Sequence, residues 1–422
     1  MKKHQIIVLG GGFTGCAAAI AAARQGCDVL LIEQSGYLGG AATNCLVNPF
    51  MQYWTTVEKN GEKERLYLSR GIFEEIVEKL TEMGAYGHWQ CFHEEYLKLL
   101  LDQMVSEAGV QVLFHSVLCE TSVDNGNLTS LTVVNKAGKQ TFCADTFIDC
   151  TGDADLAVMA GCPYHLGRPG DQLCQPMTLC FRLANVDLEG FRNGGNELAQ
   201  KLYKQWQAEG KTSNPRENIL TFGNMVDGVL HFNTTRVVKH NPVDPFDVSR
   251  AEMEARKQAF ELYHLLKENV PCFAKADFLI SAPWIGARES RMIDGEYLLT
   301  QEDLKACTRF DDAIAAGNYD IDIHNPEGSG TSHYYFPAGQ YYTIPYRSLQ
   351  PKNLDNLLVA GRCISSTHEA QASYRIMPIV CTLGEAAGVA AAVSCKANVG
   401  VKQADIREIQ RILKENNAFL GE

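Results

Sequence analysis

With 422 residues, 45% of them hydrophobic and 21% charged, the chain falls in the globular range and is long enough for two domains. Its formal net charge of −12 leaves no excess of Lys and Arg to neutralise phosphate groups, which argues against a nucleic-acid partner. The 15 cysteines are odd in number, are scattered and contain no CxxC pair, so we expect reduced thiols in a cytoplasmic protein and no metal site.

The first predicted elements follow the order strand, turn, helix, strand. Residues 5–9 form a short apolar run, residues 10–15 read GGGFTG, and an alanine-rich stretch continues to Gly26. A second apolar run covers residues 28–32. This order predicts one βαβ unit, because the runs are short enough for buried strands and the glycine would end the helix.

The glycine spacing in this unit is that of a dinucleotide-binding loop. Gly10 would permit the tight turn, Gly12 would let the backbone approach a pyrophosphate, and Gly15 would let helix and strand pack closely. Glu33 follows the second strand, 23 residues after Gly10, and would accept hydrogen bonds from ribose hydroxyls. N–H groups at the start of the helix would meet the phosphate charge. The pattern predicts dinucleotide binding, with an ordinary βα turn as the plainer alternative.

Two helices and a β-meander are predicted next. Residues 66–83 and 94–108 carry apolar side chains at a spacing of three and four, and each stretch is followed by a glycine that would end a helix. Residues 110–147 change to short β-rich runs separated by turn sequences, which is typical of hairpins. The meander leads into an apolar strand that ends near Cys150.

The middle of the chain, residues 161–342, has irregular periodicity and is predicted to be an inserted substrate or cap domain. A helix is predicted there only over 251–267, where Ser249 and Glu252 have the spacing of a capping box. Residues 317–342 are rich in Gly, Tyr, His and Asn without a helical period, and we expect a long functional loop.

The last predicted elements are a strand over 356–360 and an alanine- and glycine-rich helix over 378–395. Pro378 suits the first turn of such a helix, and Gly384 and Gly388 would allow it to pack closely on the first βαβ unit. We expect no membrane span, because a glutamate and helix-weakening residues interrupt the apolar stretch.

A second glycine-rich segment indicates which dinucleotide the chain binds. Residues 36–43 read GYLGGAAT, and together with residues 10–15 they resemble the flavoproteins of the glutathione reductase superfamily, which have two dinucleotide-binding domains. In that superfamily a second glycine pair lines the pyrophosphate and ribityl chain of an extended FAD. The resemblance extends to the meander, to residues 151–153 (TGD) and to residues 357–362 (LLVAGR).

The chain is also similar, over nearly its whole length, to a broad FAD-dependent oxidoreductase family. This similarity rests on residues 286–291, 361–365, 368–370 and 375–378. The substrates of that family are diverse, so the resemblance implies a cofactor without naming a substrate. Disulfide reductases carry two cysteines after the second glycine pair, whereas this chain has only Cys45 there, which disfavours dithiol chemistry.

The resemblance implies an α/β fold with a Rossmann-like FAD-binding domain, built on a parallel sheet and a β-meander, and an inserted α+β substrate domain. The FAD-binding domain would comprise residues 1–160 and 343–422, and the substrate or cap domain residues 161–342. FAD is the expected cofactor. The residues expected to contact it are Gly10, Gly12, Phe13, Thr14, Gly15, Glu33, Gln34, Gly40, Ala41, Thr43, Asn44, Val117, Thr151, Gly152, Gly361, Arg362 and Met377.

Two residues before the last helix are the leading candidates for chemistry. His368 is the leading acid or base, since a histidine near flavin N5 could exchange a proton as hydride moves. Arg375 is the leading substrate anchor, through a carboxylate or a carbonyl. For both, hydrogen bonds to loop backbone are an equally plain interpretation. The helix over 378–395 would direct its amino terminus at reduced flavin, or else serve only as a buried core helix.

Three further residues are weaker candidates. Arg288 and Arg291 could grip an anionic substrate, although ion pairing with Glu289 and Asp294 is the favoured interpretation. His333 has tyrosines as neighbours and could line a polar substrate pocket or lie on a loop surface.

The predicted function is hydride transfer between a small polar organic substrate and flavin N5. The alternatives are a fumarate-reductase-like enzyme that acts on CH–CH bonds, a non-catalytic flavin-binding accessory protein, and a nucleotide fold that binds NAD instead. The expected partners are the substrate and an unidentified electron acceptor, with a homo-oligomer left open and no membrane or nucleic acid. No second GxGxxG occurs, so a dedicated nicotinamide domain is not expected.

Overall fold

The computed structural model describes residues 3–59 and 61–421. Its strands, in chain order, are β1 (Lys3–Leu9), β2 (Val29–Ile32), β3 (Trp54–Lys59), β4 (Glu62–Tyr67), β5 (Gln111–Leu113), β6 (Val117–Asp124), β7 (Asn127–Asn135), β8 (Gly138–Asp149), β9 (Tyr164–Leu166), β10 (Phe181–Ala184), β11 (Thr221–Phe222), β12 (Leu230–Phe232), β13 (Asp277–Ser281), β14 (Arg291–Ile293), β15 (Ala313–Gly317), β16 (Ile321–His324), β17 (Thr331–Tyr334), β18 (Tyr342–Pro345) and β19 (Leu357–Val359). Its helices are α1 (Phe13–Arg24), α2 (Ile72–Glu82), α3 (Glu94–Glu107), α4 (Asp155–Met159), α5 (Leu188–Gly190), α6 (Asn196–Ala208), α7 (Pro245–Asn269), α8 (Gln301–Lys305), α9 (His368–Tyr374), α10 (Met377–Ala397) and α11 (Ile406–Glu415).

A seven-stranded sheet forms the base of the fold, in the order β5-β2-β1-β8-β7-β6, with β19 also paired to β8. Strands β5, β2, β1, β8 and β19 run parallel, whereas β6, β7 and the start of β8 form antiparallel hairpins. Strand β8 belongs to both parts, because residues 138–142 pair with β7 and residues 143–149 pair with β1. The predicted Rossmann-like sheet with a β-meander is confirmed.

Helices α1 and α10 pack closely on one face of this sheet. A Cβ atom at Gly384 would lie 2.0 Å from the carbonyl oxygen of Thr14, and one at Gly388 would lie 2.2 Å from that of Ala18. These distances leave no room for a side chain, so the predicted close packing through the two glycines is confirmed. By length and composition α10 could cross a membrane, but 94% of its apolar window is buried inside the fold, as expected of a core helix.

A second, antiparallel sheet has the strand order β11-β12-β10-β13, and helices α6 and α7 pack against it. Phe181, Phe232 and Phe273 lie in its core, whose buried residues come from 181–276. Ile314 and Tyr342 instead belong to the core that surrounds α1 and α10. The predicted insertion of residues 161–342 therefore has a core of its own only over its first part.

Helix α7 starts earlier than predicted. Its N-cap is Asp244, whose carboxylate accepts hydrogen bonds from the N–H groups of Phe246 (3.0 Å) and Asp247 (2.8 Å). Ser249 lies inside the helix and donates to the carbonyl oxygen of Pro245 at 2.6 Å. The capping-box prediction was wrong because an Asp-Pro start, with proline in the first turn, already satisfies the helix terminus.

Other boundaries also differ from the sequence-based expectation. The predicted helix over 66–83 is helical only over Ile72–Glu82, because its first residues pair with β3 as part of strand β4. Helix α6 and the β16–β17 hairpin occupy stretches where no regular element was predicted. Tyr203 and Trp206 of α6 are buried in the second core, so tertiary packing here outweighs a weak local pattern. The predicted helix over 94–108 and the predicted strand over 356–360 are confirmed.

Candidate functional site

A cavity of about 840 Å³ lies between the carboxyl ends of the parallel strands and the second sheet. Leu9, Ile32 and Cys150, at the ends of β1, β2 and β8, contribute to its wall, as do Phe222 and Asn233 from the second sheet. All residues expected to contact the cofactor, except Gly15 and Thr43, line this cavity. The volume lies in the range of about 300–1,000 Å³ that is usual for small-molecule and cofactor sites.

The first glycine loop (residues 10–15) shapes the cavity floor through three different constraints. Gly10 has a φ of 99°, and a Cβ there would lie 2.4 Å from the carbonyl oxygen of Cys150. A Cβ at Gly15 would lie 1.7 Å from the carbonyl oxygen of Gly10, which explains why Gly15 supports the loop instead of lining the cavity. A Cβ at Gly12 would meet only Gly40 Cα, at 3.7 Å, and would otherwise point into open space.

The second glycine loop (residues 36–43) is joined to the first. The N–H group of Gly39 donates to the carbonyl oxygen of Gly11 at 2.9 Å, and a Cβ at Gly40 would lie 2.8 Å from Gly12 Cα. Thr43 is buried, and its hydroxyl donates to the carbonyl oxygen of Leu38 at 2.8 Å. Thr43 therefore holds the turn, while Gly40 leaves the backbone of Gly12 uncovered.

Glu33 lines the cavity but is already engaged by the protein. Its Oε2 accepts from the N–H group of Gly11 at 2.5 Å, and its Oε1 accepts from the N–H and the hydroxyl of Ser35, both at 2.7 Å. Oε2 retains a further lone pair, whereas the two bonds from Ser35 use both lone pairs of Oε1. The predicted contact between Glu33 and ribose hydroxyls stays a prediction, and the observed bonds add a second role in fixing the first glycine loop.

Several polar groups at the cavity suit a flavin dinucleotide. Asn44 is buried, and its Oδ1 has no hydrogen-bond partner among the described residues. Arg362 donates to Asp153 at 2.6 Å, yet its buried Nε is without a partner in the same part of the chain. Ile376 and Met377 bring the amino terminus of α10 to the wall, with no side-chain cap on its N–H groups. These donors and acceptors, together with the bare backbone at Gly12, fit FAD.

Three arginines from outside the glycine loops line the same cavity: Arg216, Arg288 and Arg375. Arg288 donates from Nη1 to the carbonyl oxygen of Pro176 (2.6 Å) and to the hydroxyl of Thr178 (2.7 Å). Burial and the positive charges of Arg375 and Arg216 lower the pKa of Arg288 to about 9. The side chain therefore remains charged at neutral pH in a strongly positive environment.

The ion pairs favoured for this segment are not the ones observed. Among the described residues, no carboxylate lies within 4.0 Å of Arg288. Glu289 points the other way and pairs with His368 at 2.7 Å, and Arg291 pairs with Asp155. The pairing prediction was wrong for Arg288 because its side chain lines the cavity, whereas Glu289 is fully buried against His368.

A small acid–base network lies beside Arg375. The hydroxyl of Tyr319 donates to Asp322 Oδ2 at 3.3 Å, and His324 Nε2 contacts the same oxygen at 3.3 Å. Burial alone would raise the pKa of Asp322, but the hydrogen bond from His324 and the charge of Arg375, 3.7 Å away, hold it well below its usual range. Burial and nearby arginine charges lower the pKa of His324 to about 3, so its Nδ1 is free to accept from Arg236 at 2.9 Å.

The leading candidate acid or base, His368, does not line the cavity. It is buried, and its Nδ1 lies 2.7 Å from Glu289 Oε1, while Glu289 Oε2 accepts from the N–H group of Gln175 at 2.8 Å. This chain of contacts ties α9 to the segment that carries Arg288. His368 is thus placed to position its neighbours instead of meeting a substrate.

His333 also lies outside the cavity wall. Its Nδ1 is 2.5 Å from Asp320 Oδ2, and the ligand atoms of His333, Asp320 and Asp322 lie within 4.8 Å of one another. Arg375, next to Asp322, would repel a cation bound there. We therefore assign no metal to this group.

The residues that sequence reasoning missed are Arg216, Tyr319 and His324, all of which line the cavity. They lie in stretches without helical period, and only the fold brings them together. Cys45 lines the cavity too, but burial raises the pKa of its thiol to about 12, so it is protonated at neutral pH and unsuited to nucleophilic attack.

The solved structures to which this chain is similar share little sequence with it. A geranylgeranyl bacteriochlorophyll reductase-like protein from Thermoplasma acidophilum is 12% identical, with 100% of this chain and 85% of that chain covered and a TM-score of 0.47. The flavin-dependent brominase Bmp2 is 11% identical, with 99% and 84% covered and a TM-score of 0.48. The p-nitrophenol 4-monooxygenase PnpA from Pseudomonas putida is 9% identical, with 100% and 90% covered and a TM-score of 0.46.

One family model covers almost the entire sequence. It is described as FAD dependent oxidoreductase and matches residues 5–413, a span that includes both glycine loops, the arginine-lined wall and helix α10. Because the match extends over so much of the chain, this protein belongs to the FAD dependent oxidoreductase family and is a flavoprotein enzyme with FAD as its cofactor.

Proposed function

We propose that this enzyme transfers a hydride between a small polar organic substrate and N5 of FAD. The observation that carries the proposal is that a single cavity contains both the bare glycine floor at Gly12 and the polar wall formed by Arg288, Arg375 and Tyr319. FAD, when bound, supplies the hydride-accepting or hydride-donating centre. The side chains of the chain itself then bind and orient the substrate and move its proton.

Arg288 and Arg375 are assigned to orientation. Both side chains line the cavity, and guanidinium groups fix carboxylate or carbonyl oxygens through paired N–H donors. Orientation matters because hydride transfer requires a near-attack geometry between the substrate carbon and the acceptor. The amino terminus of α10, which reaches the same wall, would stabilise negative charge on the reduced cofactor.

Tyr319 is assigned to proton transfer in place of His368. Burial raises the pKa of Tyr319, so its hydroxyl holds a proton at neutral pH. Asp322 accepts a hydrogen bond from that hydroxyl at 3.3 Å and fixes its orientation. His368 is removed from the cavity by its contact with Glu289. The proposed acid or base is therefore the Tyr319 hydroxyl, with Asp322 as its positioning residue.

Two directions of reaction fit these assignments. Oxidation of a CH–OH or CH–NH group and reduction of a carbon–carbon double bond to a CH–CH bond both need an oriented substrate and one proton carrier. The arginine-lined wall is compatible with both reactions, including the fumarate-reductase-like one, because guanidinium groups would hold the carboxylate of a hydroxy, amino or unsaturated acid. A non-catalytic accessory role has no support from a family of oxidoreductases.

We also infer that the fold belongs with the glutathione reductase superfamily, a proposal supported by the joined glycine loops and by the β-meander. The sequence contains no second GxGxxG, which supports an electron acceptor outside this chain. Location in the cytoplasm and assembly into a homo-oligomer stay predictions.

The test is anaerobic reduction of the bound flavin by panels of hydroxy, amino and saturated acids. The visible absorbance of the flavin monitors this reduction. In the reverse direction, a reduced dye is supplied together with unsaturated acids. Tyr319→Phe should slow flavin reduction or turnover by about 100-fold or more, as for loss of a general acid–base group, and should leave the FAD content unchanged. Tyr335→Phe, at an exposed residue, is the matched control. Wild-type rates in Tyr319→Phe would refute the assignment.

A further inference from the structure

Buried arginines in this chain normally have a carboxylate partner. Arg182 pairs with Glu94, and Arg236 pairs with Glu217 at 3.0 Å. Arg291 and Arg362, which are partly buried at the cavity, also pair with carboxylates. This is the expected arrangement, because a guanidinium that leaves water without a counter-charge is costly.

Arg216 departs from this arrangement. Arg216 is 4% exposed, and among the described residues its guanidinium makes one hydrogen bond, from Nε to Asn218 Oδ1 at 3.3 Å. The Nη1 atom of Arg216 is buried without a partner among the described residues, although Arg216 lines the cavity. A buried donor without a protein partner, in a residue that lines the cavity, indicates a ligand acceptor.

The two neighbouring arginines also lack a close carboxylate partner. Arg288 has no carboxylate within 4.0 Å in the described ranges, and Arg375 has only Asp322, at 3.7 Å. Burial lowers the pKa of Arg216 although the charges of Glu217 and Asp322 act against this effect, and burial together with the other arginines lowers the pKa of Arg288.

Other ionisable groups near the three arginines do not supply the missing charge. Arg236 is balanced by Glu217, and His324 accepts a hydrogen bond from Arg236 while it remains uncharged. His333 lies against Asp320. The three guanidinium charges and the carboxylate of Asp322, counted by themselves, have a formal sum of about +2.

We propose that the substrate is a small organic dianion whose oxygen atoms accept hydrogen bonds from Arg216, Arg288 and Arg375. The proposal rests on the proposed hydride-transfer function, since it names the substrate class of the same cavity. A dicarboxylate and a phosphate monoester share this chemistry, because both present planar or forked oxygen pairs to guanidinium groups. A neutral substrate would leave two positive charges buried without a partner.

Binding to the FAD-loaded enzyme tests the proposal without turnover. The probes are succinate, acetate, succinamide and inorganic phosphate, at fixed ionic strength so that screening is constant. The readouts are the flavin absorbance difference spectrum and the melting temperature. We expect saturable binding of a dianion, with succinate more than about tenfold tighter than acetate because it makes additional charge-assisted hydrogen bonds, and no response to succinamide. Saturation by phosphate but not succinate would assign a phosphate ester as the source; a response to neither dianion would overturn the proposal.

Variants separate a binding role from a structural one. In Arg216→Met and Arg288→Met the response to the dianion should be lost, while the FAD content should stay unchanged. Without added anion, both variants should melt at a higher temperature than wild type, because an unpaired buried charge is removed. Arg236→Met is the control, since it leaves Glu217 without its partner and should lower the melting temperature. Two variants are used so that failure of one to fold leaves the other decisive. Wild-type dianion binding in both would overturn the proposal.

The two proposals fail in distinguishable ways. If a dianion binds through Arg216 but no dianion exchanges electrons with the flavin, the anion site stands and the hydride-transfer function fails. If neutral alcohols or amines reduce the flavin at full rate and no dianion binds, the function stands and the dianion inference fails.

Discussion

A valine at position 12 should separate cofactor binding from folding. Gly12 has φ and ψ values of −69° and −176°, which any residue adopts, and a Cβ there would meet only Gly40 Cα at an ordinary 3.7 Å. The loss of glycine flexibility in the unfolded chain stabilises by about 0.4–1 kcal/mol, and the weaker N-cap offsets part of this. We therefore expect the cofactor-free Gly12→Val protein to melt within about 2 °C of wild type.

FAD binding should respond very differently to the same change. The valine methyl groups would enter the space between Gly12 and Gly40 and displace the pyrophosphate from the N–H groups of α1. Loss of two charge-assisted hydrogen bonds, at about 1.5–3 kcal/mol each, would weaken FAD by roughly 100- to 10,000-fold. Visible absorbance of the purified protein and reconstitution with FAD measure this. Gly223→Val, where a Cβ meets nothing within 4 Å, is the matched control. Wild-type FAD content in Gly12→Val would refute this placement of the pyrophosphate.

Three further predictions concern stability, each measured by thermal or urea unfolding. Gly384→Ala should destabilise by about 1–3 kcal/mol or more, because its Cβ would lie 2.0 Å from a backbone oxygen of α1; an unchanged melting temperature would contradict the helix contact. Burial raises the pKa of Glu385 from 4.5 to about 7, so the folded state binds a proton that the unfolded chain releases, and stability should fall by about 3 kcal/mol as pH rises from about 4.5 to 7; Glu385→Gln should lack this slope. Arg182→Met should cost about 3–5 kcal/mol by leaving Glu94 buried and unpaired, and adding Glu94→Leu should restore most of that loss.

The parts of the fold that the sequence predicted are those with short-range signals. The βαβ unit, the β-meander and α10 each carry their pattern within about 40 residues, and the Asn125-Gly126 turn has the positive φ values (48° and 76°) that its sequence favours. The β16–β17 hairpin and α6 lack such signals. Their positions depend on the cores that they pack against, which a local pattern does not encode.

The candidate site also has one part that the sequence predicted and one part that it did not. The cofactor floor comes from two nearby segments, residues 10–15 and 36–43, whose glycines have a recognisable spacing. The substrate wall combines Arg216, Arg288 and Arg375, which are up to 159 residues apart, so no spacing rule relates them. His368 was favoured for its position between the last strand and α10, but sequence position alone does not show that its imidazole faces Glu289.

The origin of the three arginines explains how the fold can hold two excess buried charges. Arg216 and Arg288 come from the region between residues 161 and 342, whereas Arg375 comes from the segment that leads into α10. Their mutual repulsion would separate these regions unless other contacts held them. The buried Arg182–Glu94 pair joins β10 to α3, and the core around α1 and α10 takes up Ile314 and Tyr342 from the same region. These contacts hold the three arginines at the same cavity as the glycine loops, so that the proposed dianion would relieve their repulsion without a rearrangement of the folded state.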